Sequence, residues 1–257
     1  MAGALHRAPA FAEEIEHMQS ASAQALPLPK RSYSLSPDVY VCEFRTSYIL
    51  LDCNMDRYFR FSGQQYDWFA EICGSRECSG LSAAAVRFTR RLLDMKLITY
   101  HQPERPDLNR PIRPNPQTSL YDLPPCGEPP VRWRPMTAFL VAFAVAAHVR
   151  RTSHLKQTLA SARKWAAVAP SHCSKDCILD LTRRFHSFTP YVFTSHEACF
   201  FRSLVLLKYL SLMGISANWE FGVRPLPFSA HCWIEHDGMV LNDHLGHVSE
   251  YRKIMSV

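Results

Sequence analysis

The sequence predicts an α+β protein of two domains. In the first, three short strands precede helices, and in the second a helical bundle packs on a small antiparallel sheet. Runs rich in β-branched and aromatic residues, which are typical of strands, occupy residues 39–61. Ten of the chain's 18 prolines fall within residues 101–135, where they exclude regular helices. Long helical patterns then resume, and three further strand-like runs follow them.

The composition is that of a globular chain, with 257 residues of which 47% are hydrophobic and 20% are charged. The net charge of +6 is spread along the chain, so the sequence does not indicate a nucleic-acid-binding protein. The longest apolar run, residues 136–149, is shorter than the roughly 18 residues that a membrane span requires. Because the N-terminus lacks the pattern of a secretory signal, we expect a cytoplasmic protein whose nine cysteines are thiols.

The first domain is predicted over residues 37–100, after a flexible N-terminal extension of residues 1–36 that shows no sustained periodicity. Its three strands are predicted at Val39–Phe44, Ser47–Asp52 and Arg57–Phe61, with a tight turn between the last two. Two helices follow, because apolar residues recur at helical spacing. These residues are Tyr66, Phe69 and Ile72 in the first helix, and Phe88, Leu92, Leu93, Met95 and Leu97 in the second.

A proline-rich linker is predicted at residues 101–131 and the second domain at residues 132–257. The first helical patterns of that domain span Trp133–Arg151, Ser153–Ala169 and Ser174–Phe188. Glycine and proline residues around position 127 mark the boundary between the linker and this domain.

One group of residues could be proposed as zinc ligands, namely Cys173 and Cys177 with His172 and His186 nearby. The cysteine spacing fits one face of a helix better than a zinc site, and no second cysteine pair completes the set. We therefore predict no metal at these residues, and we assign no cofactor to this chain.

A long apolar helix is predicted to carry a cysteine near its beginning. Thr194 and Glu197 form a capping-box pattern that begins the helix, with Cys199 about one and a half turns inside. Gly214 ends it as the C′ residue after Met213. A thiol near a helix N-terminus and beside an imidazolium can have its pKa lowered to roughly 3.5 to 7.5. The alternative is that Cys199 is only a small buried residue.

Three strand-like runs follow, at Asn218–Val223, Ser229–Glu235 and Met239–Asp243. A two-residue loop at Asp237-Gly238 would pair residue 232 with residue 243 and turn the Asp243 side chain away from His231. A three-residue loop with a bulge at Gly238 pairs residue 231 with residue 243 instead, so that the acid faces the histidine. We predict the bulged loop. Cysteine, histidine and aspartate would then serve as nucleophile, base and orienter.

The C-terminal motifs resemble those of the lasso-peptide B proteins, which are transglutaminase-like cysteine proteases. The family pattern is C-L-x-R-S-L, G-I, I-G-V, P-F-x-A-H-A-W-V-E and N-D. The matching segments here are Cys199 to Leu204, Gly214-Ile215, Phe221 to Val223, Pro227 to Glu235 and Asn242-Asp243. This chain departs from the pattern at Phe200, where leucine is usual, and at Cys232, where alanine is usual.

The resemblance implies a transglutaminase-like, papain-like fold and a cysteine endopeptidase with Cys199, His231 and Asp243 as its catalytic residues. Such a leader peptidase separates the leader from the core of a ribosomally made precursor and passes the core to an asparagine-synthetase-like cyclase. ATP dependence is assigned to that partner, because this chain has no G-x-x-x-x-G-K-[ST] loop. Two alternatives stay open, namely acyl transfer to an amine by the same triad and a non-catalytic adaptor that delivers the leader.

The first domain resembles the winged-helix-like peptide-recognition domain of peptide-maturation systems, of the pyrroloquinoline quinone chaperone type. The resemblance lies in residues 48–52, 56–62 and 66–69, whereas residues 73–83 depart from the family's middle helix. It implies that a leader peptide adds as a strand to an exposed sheet edge, against a neighbouring helix. The leader-binding residues carried over are Arg57, Tyr58, Phe59, Arg60, Phe61, Leu92 and Met95. The alternative is a small stabilising domain without a ligand.

Overall fold

The computed structural model of the chain describes residues 33–74, 81–100, 114–124, 133–167, 174–193 and 199–257. They belong to two compact units, which divide between residues 112 and 113.

The described part of the N-terminal unit contains five strands and two helices. They are β1 (Tyr33–Leu35), β2 (Val39–Phe44), β3 (Ser47–Asp52), β4 (Arg57–Ser62), α1 (Gln64–Gly74), α2 (Ala83–Asp94) and β5 (Ile98–Tyr100). The strands β2, β3 and β4 form an antiparallel meander in that order, which confirms the three predicted strands. The strand β1 pairs with β5 and lies within the segment predicted as a flexible extension, so the prediction is wrong for Tyr33–Leu35.

The core of this unit lies between one face of the meander and the two helices. Phe61 is fully buried there and meets the Phe88 ring of α2 edge to face, with the ring centroids 5.2 Å apart. The helix α2 begins at an N-cap, because the Ser82 hydroxyl accepts a hydrogen bond from the Ala85 amide at 3.2 Å. Other core residues include Leu50, Phe59, Phe69 and Leu92.

The C-terminal unit packs helices on a five-stranded sheet. The helices are α3 (Trp133–Thr152), α4 (Leu155–Ala166), α5 (Lys175–Phe188), α6 (Cys199–Leu212) and the single turn α7 (Leu245–Val248). The strands are β6 (Thr118–Ser119), β7 (Asn218–Pro225), β8 (Phe228–His236), β9 (Met239–Val240) and β10 (Arg252–Ser256). The sheet order is β10-β7-β8-β9-β6, and β6 runs parallel to β9. The prediction of an antiparallel sheet is therefore wrong for this pair of strands.

The helix α6 is the central element of this unit, as its apolar composition predicts. The side chains of residues 204–207 and of Tyr209 and Leu210 are all buried. The helix ends as predicted, since Gly214 adopts a φ of +77° and the Ile215 amide donates to the Leu210 carbonyl at 2.9 Å. The predicted capping residues Thr194 and Glu197 lie outside the described residues.

Two further observations concern the chain as described. None of the helices in the described ranges combines the length and the apolar character needed to cross a bilayer. Cys177 is disulfide-bonded, so the expectation that every cysteine is a thiol is wrong. Cysteines outside disulfides include Cys199 and Cys232.

Candidate active site

The β8–β9 hairpin has a tighter loop than predicted. Glu235 pairs with Val240 and His236 pairs with Met239, so only Asp237 and Gly238 lie in the loop. Their φ angles are +47° and +75°, as a type I′ turn requires. The predicted three-residue bulged loop is therefore wrong, because an Asp-Gly pair accepts two consecutive positive φ angles.

Asp243 nevertheless reaches His231, because the chain leaves the sheet before that residue. Ladder pairing ends with the Leu241 amide, which donates to the Ile234 carbonyl at 2.9 Å. The Ile234 amide then donates to the side-chain oxygen of Asn242 at 2.8 Å instead of to a backbone carbonyl. The chain bends at this point, and Asp243 Oδ2 comes to lie 2.5 Å from His231 Nε2.

Asn242 also connects the hairpin to the helix that carries the cysteine. Its side-chain amide donates to the Ser203 hydroxyl at 2.9 Å, and that hydroxyl donates to the Cys232 carbonyl at 3.3 Å. Ser203 lies one helical turn after Cys199 in α6. The two residues thus hold the start of α6 against β8, and both were missed as positioning residues although they lie within the quoted motifs.

Three consecutive carbonyl groups of the segment after β9 accept hydrogen bonds from side chains. Leu241 accepts from His186 Nε2 at 2.8 Å, Asn242 from Arg202 at 3.3 Å and Asp243 from Ser119 at 2.5 Å. Burial lowers the pKa of His186 to about 4, so the ring is neutral at pH 7 and its other nitrogen accepts from the Tyr121 hydroxyl. His186 is therefore a structural residue. His186 and Ser119 lie in distant parts of the chain that no quoted motif includes, whereas Arg202 lies within the quoted segment Cys199 to Leu204.

The electrostatics of the site favour a thiolate at Cys199. Its pKa is lowered to about 4, first by the hydrogen bond from the Cys232 side chain, and then by the hydrogen bond and charge of His231 and by the Cys232 amide. Burial opposes this shift. The pKa of Cys232 is raised by burial and by the neighbouring Cys199, so Cys232 stays a thiol and can donate to the thiolate.

His231 and Asp243 complete the charge pattern. Burial alone would lower the pKa of His231, but hydrogen bonds to Asp243 and Cys199 and the charges of both raise it to about 9. Burial would raise the pKa of Asp243, but its bond to His231 and the histidine's charge lower it to about 2. At pH 7 the three groups are therefore a thiolate, an imidazolium and a carboxylate.

The His231 ring is enclosed by aromatic neighbours. The centroids of His247, Tyr251 and Trp233 lie 4.7, 5.2 and 5.9 Å from its own centroid. Trp233 is itself held by a hydrogen bond, because its indole N–H donates to the Glu235 carboxylate at 2.6 Å. That carboxylate is bound by the buried Lys253 ammonium at 2.8 Å. The imidazole is thus held by packing as well as by Asp243.

Gly222 pairs with His231 across β7 and β8 and leaves no room for a side chain. A Cβ atom there would lie 2.7 Å from the Trp233 ring and 2.8 Å from Tyr251 Cβ. Gly222→Ala is therefore expected to lower the free energy of unfolding by about 1–3 kcal/mol, because two large buried neighbours must shift. Chemical denaturation measures this effect. Gly246→Ala, where a Cβ meets nothing within 4 Å, is the control, and equal stability of the two variants would contradict the prediction.

His231, Asp243 and His247 are also a group that could hold a metal ion. Their ligand atoms lie within 4.8 Å of one another, and no metal was predicted for them from the sequence. A metal would have to replace the hydrogen bonds that these side chains make with one another. We assign no metal to them.

The predicted leader-binding residues do not all face outward. β4 is an outer strand of its described sheet, so the predicted edge position holds. The side chains of Phe59, Phe61 and Leu92, however, lie in the core of the unit and cannot contact a peptide. Alternate residues of a strand face opposite sides, and the helices cover one side of β4. Tyr58 is also buried, Arg60 and Met95 are half-buried, and Arg57 is exposed.

The chain was also compared with known proteins. Residues 137–256 match the family model described as the Transglutaminase-like superfamily. No curated protein and no solved structure matches the chain. The matched region runs from α3 into β10 and contains Cys199, His231 and Asp243. The C-terminal part of this mixed α and β protein is therefore a transglutaminase-like superfamily domain.

Proposed function

We propose that the chain is a cysteine endopeptidase in which Cys199 is the nucleophile, His231 the general acid and base, and Asp243 the orienting residue. The observation that carries the proposal is the 2.5 Å contact between His231 Nε2 and Asp243 Oδ2. The Cys232 side chain and then His231 lower the pKa of the Cys199 thiol to about 4. A transglutaminase-like domain is compatible with this activity and with acyl transfer.

The geometry supports a separate role for each nitrogen of the His231 ring. Asp243 occupies Nε2 of His231, so the other ring nitrogen, Nδ1, is the one that serves Cys199. The thiolate would attack the scissile carbonyl, and His231 would then protonate the leaving amine and release an acyl-enzyme. His231 would next take a proton from water, which hydrolyses the acyl-enzyme. The Cys199 amide at the start of α6 is a suitable donor for the oxyanion.

The substrate we propose is the precursor of a lasso peptide, cut between leader and core, with the core passed to an asparagine-synthetase-like cyclase. Two features support this choice. The motifs around Cys199, His231 and Asp243 resemble those of the lasso-peptide B proteins. The outer strand β4 offers a position at which an extended leader could add, with Arg57 and Arg60 as the accessible side chains.

Acyl transfer to an amine is the second candidate, because the matched family description covers the same chemistry. The two reactions share the acyl-enzyme and differ in the group that resolves it. Mass spectrometry of the products separates them, because only hydrolysis leaves a free carboxylate on the leader.

The test is cleavage of the precursor peptide by the purified full chain. The neighbouring genes identify the precursor, since a short open reading frame beside cyclase and exporter genes is expected. Cys199→Ala should abolish cleavage, because it removes the sulfur that would form the acyl-enzyme. Cleavage by Cys199→Ala at the wild-type rate would refute the proposal. Normal maturation in cells that carry His231→Ala would indicate the adaptor.

A further inference from the structure

We propose that His247 is a positioning residue that orients the Asp243 carboxylate toward His231, so that the site is a Cys-His-Asp arrangement supported by a second histidine. The inference rests on the proposed function in one respect, because it takes Asp243 as the residue that orients His231. Neither the sequence motifs nor the family match points to His247.

The contacts of the Asp243 carboxylate carry the argument. Its Oδ2 atom lies 2.5 Å from His231 Nε2, and its Oδ1 atom accepts from the His244 amide at 2.7 Å. His247 Nδ1 lies 3.0 Å from Oδ1 and 3.1 Å from Oδ2. A single N–H group can therefore donate to both oxygens at once.

This third donor does what the other two cannot. The His244 amide belongs to the next residue and binds only Oδ1. It therefore restrains the carboxylate plane at one oxygen only. His247 bridges both oxygens and fixes that plane. The one-turn helix α7 places it four residues after Asp243, where a side chain can reach back to the turn before it.

The position of the ring fits a local role rather than a structural one. The His247 side chain is 45% exposed, so its removal takes little apolar surface out of the core. Its ring lies 4.7 Å from the His231 ring and meets Tyr251 edge to face at 5.5 Å. The His231 and Asp243 side chains beside it are only 10% and 11% exposed. Shielding from water strengthens an interaction between charged groups.

The hydrogen bonds to Asp243 predict which substitutions of His247 keep its role, because they are made by Nδ1 and not by Nε2. The amide nitrogen of asparagine occupies the place of Nδ1, one bond beyond Cγ, whereas that of glutamine lies where Nε2 does. His247→Asn should therefore retain the function, and His247→Gln and His247→Ala should lose it. A residue that only fills space would not distinguish asparagine from glutamine in this order.

The experiment uses the full chain and two readouts. The first is the rate of Cys199 alkylation by iodoacetamide across pH, followed by mass spectrometry of the peptide that contains Cys199. This readout needs no substrate, and its upper inflection reports the loss of the His231 proton, near pH 9 in the wild type. The second is kcat and KM for cleavage of the precursor. His148→Ala, which removes an exposed histidine of α3, is the control.

We expect the upper inflection to fall by about 1 pH unit in His247→Ala and His247→Gln, and to stay within about 0.3 unit in His247→Asn. Cleavage by the first two should show kcat lowered roughly 10-fold with little change in KM, because the lost bond involves a charged acceptor. The control should match the wild type in both readouts.

Two results would overturn the inference. One is an unchanged alkylation profile in His247→Ala, and the other is a His247→Asn variant as impaired as His247→Ala. If the wild type fails to cleave the precursor but the alkylation profiles follow the expected order, the inference stands and the proposed substrate fails. If the wild type cleaves and all three variants behave like it, the proposed function stands and the inference fails.

Discussion

His231→Ala is expected to lower the rate of leader cleavage by about 1,000-fold, because the variant loses the group that protonates the leaving amine and activates water. It also removes a hydrogen bond and a positive charge that lower the pKa of Cys199. Alkylation of Cys199 at pH 6 should therefore be slower than in the wild type. Single-turnover cleavage and mass spectrometry of the alkylated peptide measure the two effects.

The double variant Cys199→Ala with His231→Ala supplies the control for this experiment. Nucleophile and base act as one unit, so the double variant should be no slower than Cys199→Ala alone. Cleavage by His231→Ala within tenfold of the wild-type rate would contradict the assignment of His231 as acid and base.

Cys232→Ala is expected to raise the pKa of Cys199 from about 4 toward the ordinary thiol value near 8.5, by at least about 1 pH unit. The hydrogen bond from the Cys232 side chain is the largest of the effects that lower this pKa. The lower inflection of the alkylation profile should therefore move to higher pH, with less thiolate at pH 6. The variant is expected to fold, because alanine is the usual residue at this position in the lasso-peptide B pattern.

Cys232→Ser is the matched control for that prediction. Its hydroxyl keeps a donor of similar size at the same place, so the lower inflection should lie between those of the wild type and Cys232→Ala. An unchanged inflection in Cys232→Ala would show that the Cys232 thiol does not stabilise the thiolate.

The elements that could be predicted from the sequence are those whose signal is local. The periodicity of α3 and α5 and the glycine at the end of α6 lie within a few residues of the structure they specify. The meander β2-β3-β4 was predictable for the same reason. β1, β5 and β10 were missed because each has three to five residues and a partner far away in the chain. Such short strands carry too few positions for an alternation pattern.

The sequence names the residues of the candidate site but does not predict the backbone path that positions Asp243. Asp243 lies beside His231, but the prediction of a bulged loop that pairs residue 231 with residue 243 is wrong. It assumed that β9 continues to Asp243. The strand ends at Val240 instead, because the Asn242 side chain takes the place of a backbone acceptor. An alternation of apolar and polar residues does not indicate where a side chain replaces a backbone group in the hydrogen bonding of a sheet.

The side-chain bonds to the carbonyls of Leu241, Asn242 and Asp243 have a consequence for tolerance to insertion. These anchors come from α5, α6 and β6, not from the hairpin loop. The position of the Asp243 carboxylate is therefore set by α5, α6 and β6, and the loop at Asp237-Gly238 does not determine it. Related chains could lengthen or shorten that loop without moving the carboxylate away from its histidine.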